Sequence, residues 1–357
     1  MENTSVGLPL PHIETWETRA VLKLCAEAHR HLAELKGSAA SIPNEAILIN
    51  TLALQEAKDS SAIENIITTQ DALYKEELNI ESYSNAAAKE VRNYVAALKF
   101  GFERVRNSKI IRLDDLIEVQ QIIESNRAGL RKLPGTALKN QQTGEIIYTP
   151  PQHPDEILTL LNHLLAYTND SAICNADPLV KMALIHYQFE SINPFYDGNG
   201  RTGRILNILY LVAQGLLDLP VLYLSRYITQ NKATYYAELQ NARTSGNWET
   251  WLLYIVQGVS TTAQQSKLLI EQIKALMEAF KNTIRAQQPK IYRHELLNNL
   301  FNHPYTKIEF VMEDLNVTRL TATKHLELLV GMGLLKKEKL GRTNYYINQA
   351  LFDLFTG

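Results

Sequence analysis

Residues 192 to 204 read I-N-P-F-Y-D-G-N-G-R-T-G-R, and how this stretch is read decides the fold. Asp197 is followed by Gly198, Asn199 and Gly200, so the backbone can enter conformations closed to residues with a Cβ and lay its N–H groups along an anion. The spacing predicts a phosphate cradle. Behind it, Ile205, Leu206, Ile208, Leu209, Leu211 and Val212 make an apolar run of helical length without glycine or proline. The cradle is therefore expected to open onto a helix N-terminus, where unpaired N–H groups and the helix dipole favour negative charge. Arg201 and Arg204, three apart at that helix start, share a face and are spaced to grip two phosphoryl groups. Asp197 offers the oxygen ligand that Mg²⁺ takes when it rides on a polyphosphate. Together these residues predict a nucleoside triphosphate site.

A bare Gly-Asn-Gly would mark no more than a helix-entry turn, but the whole string says more. It resembles the signature of the Fic family, His-x-Phe-x-(Asp/Glu)-Gly-Asn-Gly-Arg-x-x-Arg, at Phe195, Asp197, Gly198, Asn199, Gly200, Arg201 and Arg204, with Thr202 and Gly203 between the arginines. One position departs: Asn193 stands where the family carries its catalytic histidine. The resemblance implies an all-α fold with a short β-hairpin flap, and transfer of AMP from ATP to a hydroxyl side chain of a target protein with release of pyrophosphate. It also implies roles. Asn199 and the N–H groups of 198 to 204 hold phosphate oxygens, Asp197 places Mg²⁺, and Arg201 and Arg204 hold the outer phosphates. Asn193 cannot take a proton near neutral pH, so general-base catalysis is missing while positioning and charge stabilisation survive. ATP binding is expected intact and transfer crippled. Asn193 is either an introduced replacement or a native residue that marks a weak enzyme or a nucleotide sensor.

Composition bounds the rest. The chain has 357 residues, 36 basic against 38 acidic, a formal charge of -2 and 45% hydrophobic residues. That length suits two or three domains, and the charge gives no global sign of nucleic acid or an acidic membrane. No run of 18 apolar residues spans a bilayer, and M-E-N-T-S-V-G-L-P-L-P-H lacks the marks of a signal peptide. Cys25 and Cys174 are far apart, without metal-ligand spacing, and read as buried small apolar residues. The expectation is a cytoplasmic protein with no membrane partner; a homodimer is compatible with it.

Along the chain, residues 1–85 read as an N-terminal helical region. A helix is expected from Glu14 to Leu35, and a second starts near Pro43 and Asn44. Then comes S-S-A-I-E-N-I. Ser60 and Glu64, four apart, lie one above the other on a helix face, which also suits a capping box. The same residues with Asn65 resemble the Fic inhibitory motif, (Ser/Thr)-x-x-x-Glu-(Gly/Asn), in the subgroup whose inhibitory helix precedes the catalytic domain. That resemblance implies that Glu64 pairs with Arg204 and removes a γ-phosphate clamp.

Residues 86–260 read as the catalytic core. Val91, Tyr94, Val95, Leu98 and Phe102 form one helical stripe, and Leu113, Leu116, Ile117, Val119, Gln120 and Ile123 another. The stretch from Gly129 to Pro154 predicts a β-hairpin around Ile146, Ile147 and Tyr148. It is either an ordinary surface hairpin or, by the resemblance, a flap whose edge captures a target segment. Asp155 to Tyr167 and the run from Asp177 to Ile192 are helices, the second buried nearly all round. His186, two turns before Asn193, reads as a packed core histidine. Tyr235 and Tyr236 lead a further helix, and the resemblance places the nucleoside near Tyr236.

Residues 261–289 read as a helical linker leading out of the core. Residues 290–357 read as a winged helix-turn-helix, with a turn at Asn316, nine basic against seven acidic residues, Thr318, Arg319, Thr321, Thr323 and Lys324 on a recognition helix, and Lys336, Lys337, Lys339 and Arg342 on the wing. Its partner is DNA or protein. The leading expectation is thus a protein adenylyltransferase, auto-inhibited by Ser60 and Glu64, acting on a target protein or on itself. The alternatives are a nucleotide-responsive DNA-binding regulator and a phosphodiesterase that removes AMP.

Overall fold

The computed structural model describes residues 16–77, 85–139, 143–340 and 343–356. Glu14, Gly341 and Arg342 lie outside the described residues. Among the described residues no helix is long and apolar enough to cross a membrane.

Helix α1 (Arg19–Ala40) starts later and runs further than expected, because the Thr18 hydroxyl accepts from the Val21 N–H and fixes the N-terminus there. In α2 (Glu45–Ile63), Asn44 rather than Pro43 begins the helix, its side chain accepting from the Ala46 N–H. Ser60 lies in the last turn of α2 and Glu64 caps its C-terminus, so this is a helix end and not a capping-box start. Next come α3 (Gln70–Glu77), α4 (Ala86–Ser108) and α5 (Leu113–Glu124). A two-stranded antiparallel hairpin, β1 (Leu138–Lys139) and β2 (Ile146–Tyr148), follows as expected.

Helices α6 (Pro154–Asn169), α7 (Pro178–Ile192) and α8 (Asn199–Ala213) carry the signature loop between the last two. Asp177 caps α7 through the Leu179 N–H. Thirteen of the fifteen residues of α7 and of α8 are buried, so the loop joining them stands on a rigid base. Helix α8 packs on α4, α5 and α7. At the α4 crossing, a Cβ on Gly101 would stand 2.8 Å from Leu209, so glycine lets the two helices approach.

After α9 (Leu224–Gln230) and α10 (Lys232–Ser245) comes α11 (Trp248–Gln287), one unbroken helix of 40 residues. From Val259 onward it buries Val259, Ala263, Ile270, Ile273, Met277, Phe280 and Ile284 on a helical period. The first part of that face meets α1, and Phe280 meets Phe301 edge to face at 5.3 Å. The helical stretch over residues 261–287 is thus packed along one face. Beyond it the order is α12 (His294–Asn302), β3 (Tyr305–Lys307), α13 (Ile308–Leu315), α14 (Arg319–Gly331), β4 (Lys336–Leu340), β5 (Thr343–Ile347) and α15 (Gln349–Thr356). The strands pair antiparallel in the order β3-β5-β4. Asn316 makes the turn between α13 and α14 at φ 49°, a conformation asparagine tolerates.

Candidate active site

The signature loop is shaped by its own side chains. Asn193 ends α7 in the left-handed region, with φ 46°, and is buried. Gly198, with φ 77°, supplies the turn that starts α8. The Asn199 carboxamide accepts from the Phe195 N–H and donates to the Phe195 carbonyl, each at 2.8 Å. Both its polar atoms are thus engaged in closing the loop, and what it leaves for an anion is its backbone N–H.

Arg131 had no signal in the sequence, yet it holds the loop from outside. Its side chain is 1% exposed. It donates from Nε to the Asn193 carbonyl at 2.7 Å and from Nη2 to the Pro151 and Ile192 carbonyls. Residues 130 and 131 also pair with Phe195 and Pro194 through the backbone. The loop, the flap base and α7 are therefore fixed to one another.

Arg204 is 3% exposed and faces the end of α2. Its Nε donates to Ser60 Oγ at 2.7 Å, and its Nη2 donates to the Ser60 carbonyl and to Glu64 Oε1 at 2.8 Å. Burial pushes the Glu64 carboxyl up, but Arg204 beside it, with smaller help from Arg201 and Lys232, holds it below the usual range. A Cβ on Gly200 would lie 2.5 Å from Glu64 Oε1. The carboxylate thus rests on the first turn of α8, where a phosphate would sit. Lys232 donates to the Ile63 carbonyl at 2.6 Å and ties down that end of α2.

Arg201 is 4% exposed and donates to Glu124 Oε1 at 2.6 Å and to Glu90 Oε2 at 3.3 Å. Neither glutamate was singled out from the sequence. Thr202 is fully buried, and a Cβ on Gly203 would meet Glu190 Oε1 at 2.7 Å, so Gly203 lets α7 and α8 approach. Asp197 is exposed and keeps one oxygen on the Gly198 N–H at 2.7 Å. Among the described residues no group of three or more acidic, histidine or cysteine side chains could hold a metal by itself. A single exposed carboxylate fits Mg²⁺ that keeps waters and takes its other oxygens from phosphate.

Tyr236 is 46% exposed and stands edge-on to Tyr235, ring centroids 5.1 Å apart. Burial pushes its hydroxyl up to about 12, with Glu64 adding to the rise and Arg204 opposing it. His186 is buried, bonded to the Tyr235 hydroxyl at 2.9 Å and stacked on Trp251, and burial pushes it down to about 3. It is a core histidine.

Glu56 completes a stripe with Ser60 and Glu64 at four-residue spacing on α2. It accepts from the Tyr94 hydroxyl at 2.9 Å, the Ser225 N–H at 3.1 Å and the Ser225 hydroxyl. Burial pushes its carboxyl up to about 7 against those bonds and Arg204. Because this lies above the unfolded value of about 4.3, its stabilising contribution is full below that value and is lost as pH rises through 7. Glu190, also pushed up to about 7 by burial, acts in the same direction. Glu64, with a depressed value, loses its contribution only at lower pH. Urea midpoints of the wild type are therefore expected to fall between about pH 5 and about pH 8 more steeply than those of Glu56→Gln. Equal slopes would contradict this.

At the flap, Tyr148 donates to the Ser191 carbonyl at 2.9 Å and lies under the Arg243 guanidinium, while Ile146 and Ile147 are exposed. On the C-terminal unit, Arg319 pairs with Glu309 at 2.7 Å and Lys337 with Glu327 at 2.6 Å, while Leu320 is 82% exposed. Two of the cations expected to face DNA are thus engaged within the unit.

Residues 22–103 match the Fic/DOC family N-terminal domain, residues 110–211 the Fic/DOC family domain, and residues 276–351 the C-terminal domain of SoFic-like protein adenylyltransferases. Protein adenylyltransferase fic-1 of Caenorhabditis briggsae is 27% identical over 189 residues, 52% of this chain and 33% of its own length. A probable protein adenylyltransferase of Aquifex aeolicus is 40% identical over 82 residues, 22% of this chain and 24% of its own length. The chain spans about a third of the length of the nematode relative. In fold it is similar to a Fic family protein from Desulfovibrio desulfuricans, with a TM-score of 0.59 at 18% identity over 92% of this chain and 96% of that one. It is also similar to Fic-1 of C. elegans, with a TM-score of 0.54 at 21% identity over 70% and 74%.

Proposed function

We propose that this chain, being built from Fic-family domains, is a protein adenylyltransferase that moves AMP from ATP to a hydroxyl side chain of a target protein, and that Glu64 holds it closed. One observation carries the reading. A buried arginine at the start of α8 is closed off by Ser60 and Glu64 of another helix, with the Glu64 carboxylate against Gly200. A guanidinium and a helix N-terminus in one seat are the chemistry of phosphate binding. A carboxylate in that seat takes the phosphate's partner and repels its charge.

In this reading Arg201 and Arg204 grip the outer phosphates once their carboxylates leave, and the N–H groups from Gly198 onward hold phosphate oxygens. Asp197 would hold Mg²⁺, which lends positive charge to the phosphates. Tyr236 borders the nucleoside, and the exposed edge of the flap takes the target segment. The side chain of Asn193 has no group that takes a proton near neutral pH, so ATP binding is intact in the present chain while transfer is slow.

Titration calorimetry of ATP with Mg²⁺ tests the closure. Glu64→Gly is expected to bind at least about tenfold tighter than the wild type, since the ligand no longer breaks a charge-assisted pair and about 1.4 kcal/mol is tenfold in affinity. Equal affinity would remove Glu64 from the role given to it.

A further inference from the structure

We propose that Glu124 is a second gate on the phosphate seat, occupying Arg201 and the bare face of Gly198 as Glu64 occupies Arg204 and the face of Gly200. The inference rests on the nucleotide reading above. A Cβ on Gly198 would lie 2.6 Å from Glu124 Oε1, the same oxygen that accepts from Arg201 at 2.6 Å. One carboxylate oxygen therefore touches both the guanidinium and the residue that caps the N-terminus of α8. Its side chain is 14% exposed, against 5% for Arg201, so water screens this pair little.

Glu124 comes from the C-terminal turn of α5, on a different element from Glu64, so the two can leave the seat separately. Glu90 also reaches Arg201, but at 3.3 Å and with 43% of its side chain exposed, so it is the weaker competitor. Burial pushes the Glu124 carboxyl up against the pull of Arg201, and Asp197, Glu90 and Glu64 add to the rise. Three carboxylates thus contact the two guanidinium groups, Glu64 on Arg204 and Glu124 and Glu90 on Arg201. A polyphosphate that reaches both arginines must expel Glu64 and Glu124 as well as the weaker Glu90, and removing Glu64 alone leaves the seat half closed. Glu124 thereby sets how strongly the site admits a ligand that spans both arginines.

Calorimetry of ATP with Mg²⁺ against the full chain as wild type, Glu64→Gly, Glu124→Gln and the double variant separates the possibilities. The double variant is expected to bind about tenfold tighter than Glu64→Gly, by the same exchange of a broken pair. Equal or weaker binding by the double variant, with Glu64→Gly still tighter than wild type, overturns the gate and leaves the nucleotide site standing. Weaker binding would make Glu124 a positioning residue for Arg201. No heat from any of the four overturns both readings. Should Glu124→Gln fail to fold, Glu124→Asp, whose shorter side chain draws its charge back from Arg201, is expected to shift binding in the same direction, and no shift would count equally against the gate.

Discussion

Histidine placed at position 193, in a chain that also carries Glu64→Gly, is expected to raise AMP transfer from ATP by about 10²- to 10⁴-fold over Glu64→Gly alone, the usual range for a positioned general base. The backbone is ready for it. Asn193 sits at φ 46°, in a region that histidine, like asparagine, enters more readily than most residues. Its N–H is bonded to the Phe189 carbonyl at 2.9 Å and its carbonyl to Arg131 at 2.7 Å, and neither bond depends on the side chain. The phosphate seat proposed above lies on Arg201, Arg204 and the first turn of α8, so the replacement is expected to change proton transfer and leave binding alone. Incorporation of labelled AMP into the chain itself or into a mixture of proteins gives the rate, and calorimetry of the two variants gives the affinity. A gain under about tenfold would mean that the missing base is not what limits transfer. Label from neither variant would count against adenylyl transfer as a whole.

What could be read from the sequence divides along physical lines. The loop was legible because its work is local: Gly198 stands where the backbone turns through positive φ, and Arg201 and Arg204 are neighbours on one helix face. The contact of Ser60 and Glu64 with Arg204 crosses about 140 residues. No spacing rule reaches that far, and only the resemblance of S-S-A-I-E-N-I to a known motif foresaw it. Glu124, Glu90 and Arg131 belong to no such motif. Their partners are fixed by how α4, α5 and the flap base pack around α8, and that packing is not written in any short window. Glu56 could have been found, since it continues the Ser60 and Glu64 stripe one turn earlier. On α11 the helix itself could be read from the sequence, whereas its packing against α1, made by apolar residues at helical spacing, could not. In the C-terminal unit the turn at Asn316 followed from local chemistry, whereas the pairing of Arg319 with Glu309 and of Lys337 with Glu327 did not.

Arg204→Ala is expected to destabilise the protein by about 3 kcal/mol, the low end for breaking a buried ion pair. The arginine side chain is 2% exposed, so its removal leaves the Ser60 hydroxyl and carbonyl without a donor. Glu64 is 37% exposed and can turn toward water, which is why the low end applies. Glu56 also loses the positive charge that draws its carboxyl down, so the fall in stability with rising pH should steepen in this variant. Arg204→Lys keeps the charge but not the fork that reaches Ser60 and Glu64 together, and should recover only part of the loss. A double-mutant cycle isolates the pair. Glu64→Gln should cost less in the Arg204→Ala background than in the wild type, with a coupling of about 1 kcal/mol from urea unfolding. Additive losses would show that Glu64 and Arg204 do not share an interaction in solution. The closed seat would then lack the contact that keeps a triphosphate out, and the enhanced binding expected of Glu64→Gly would have to disappear with it.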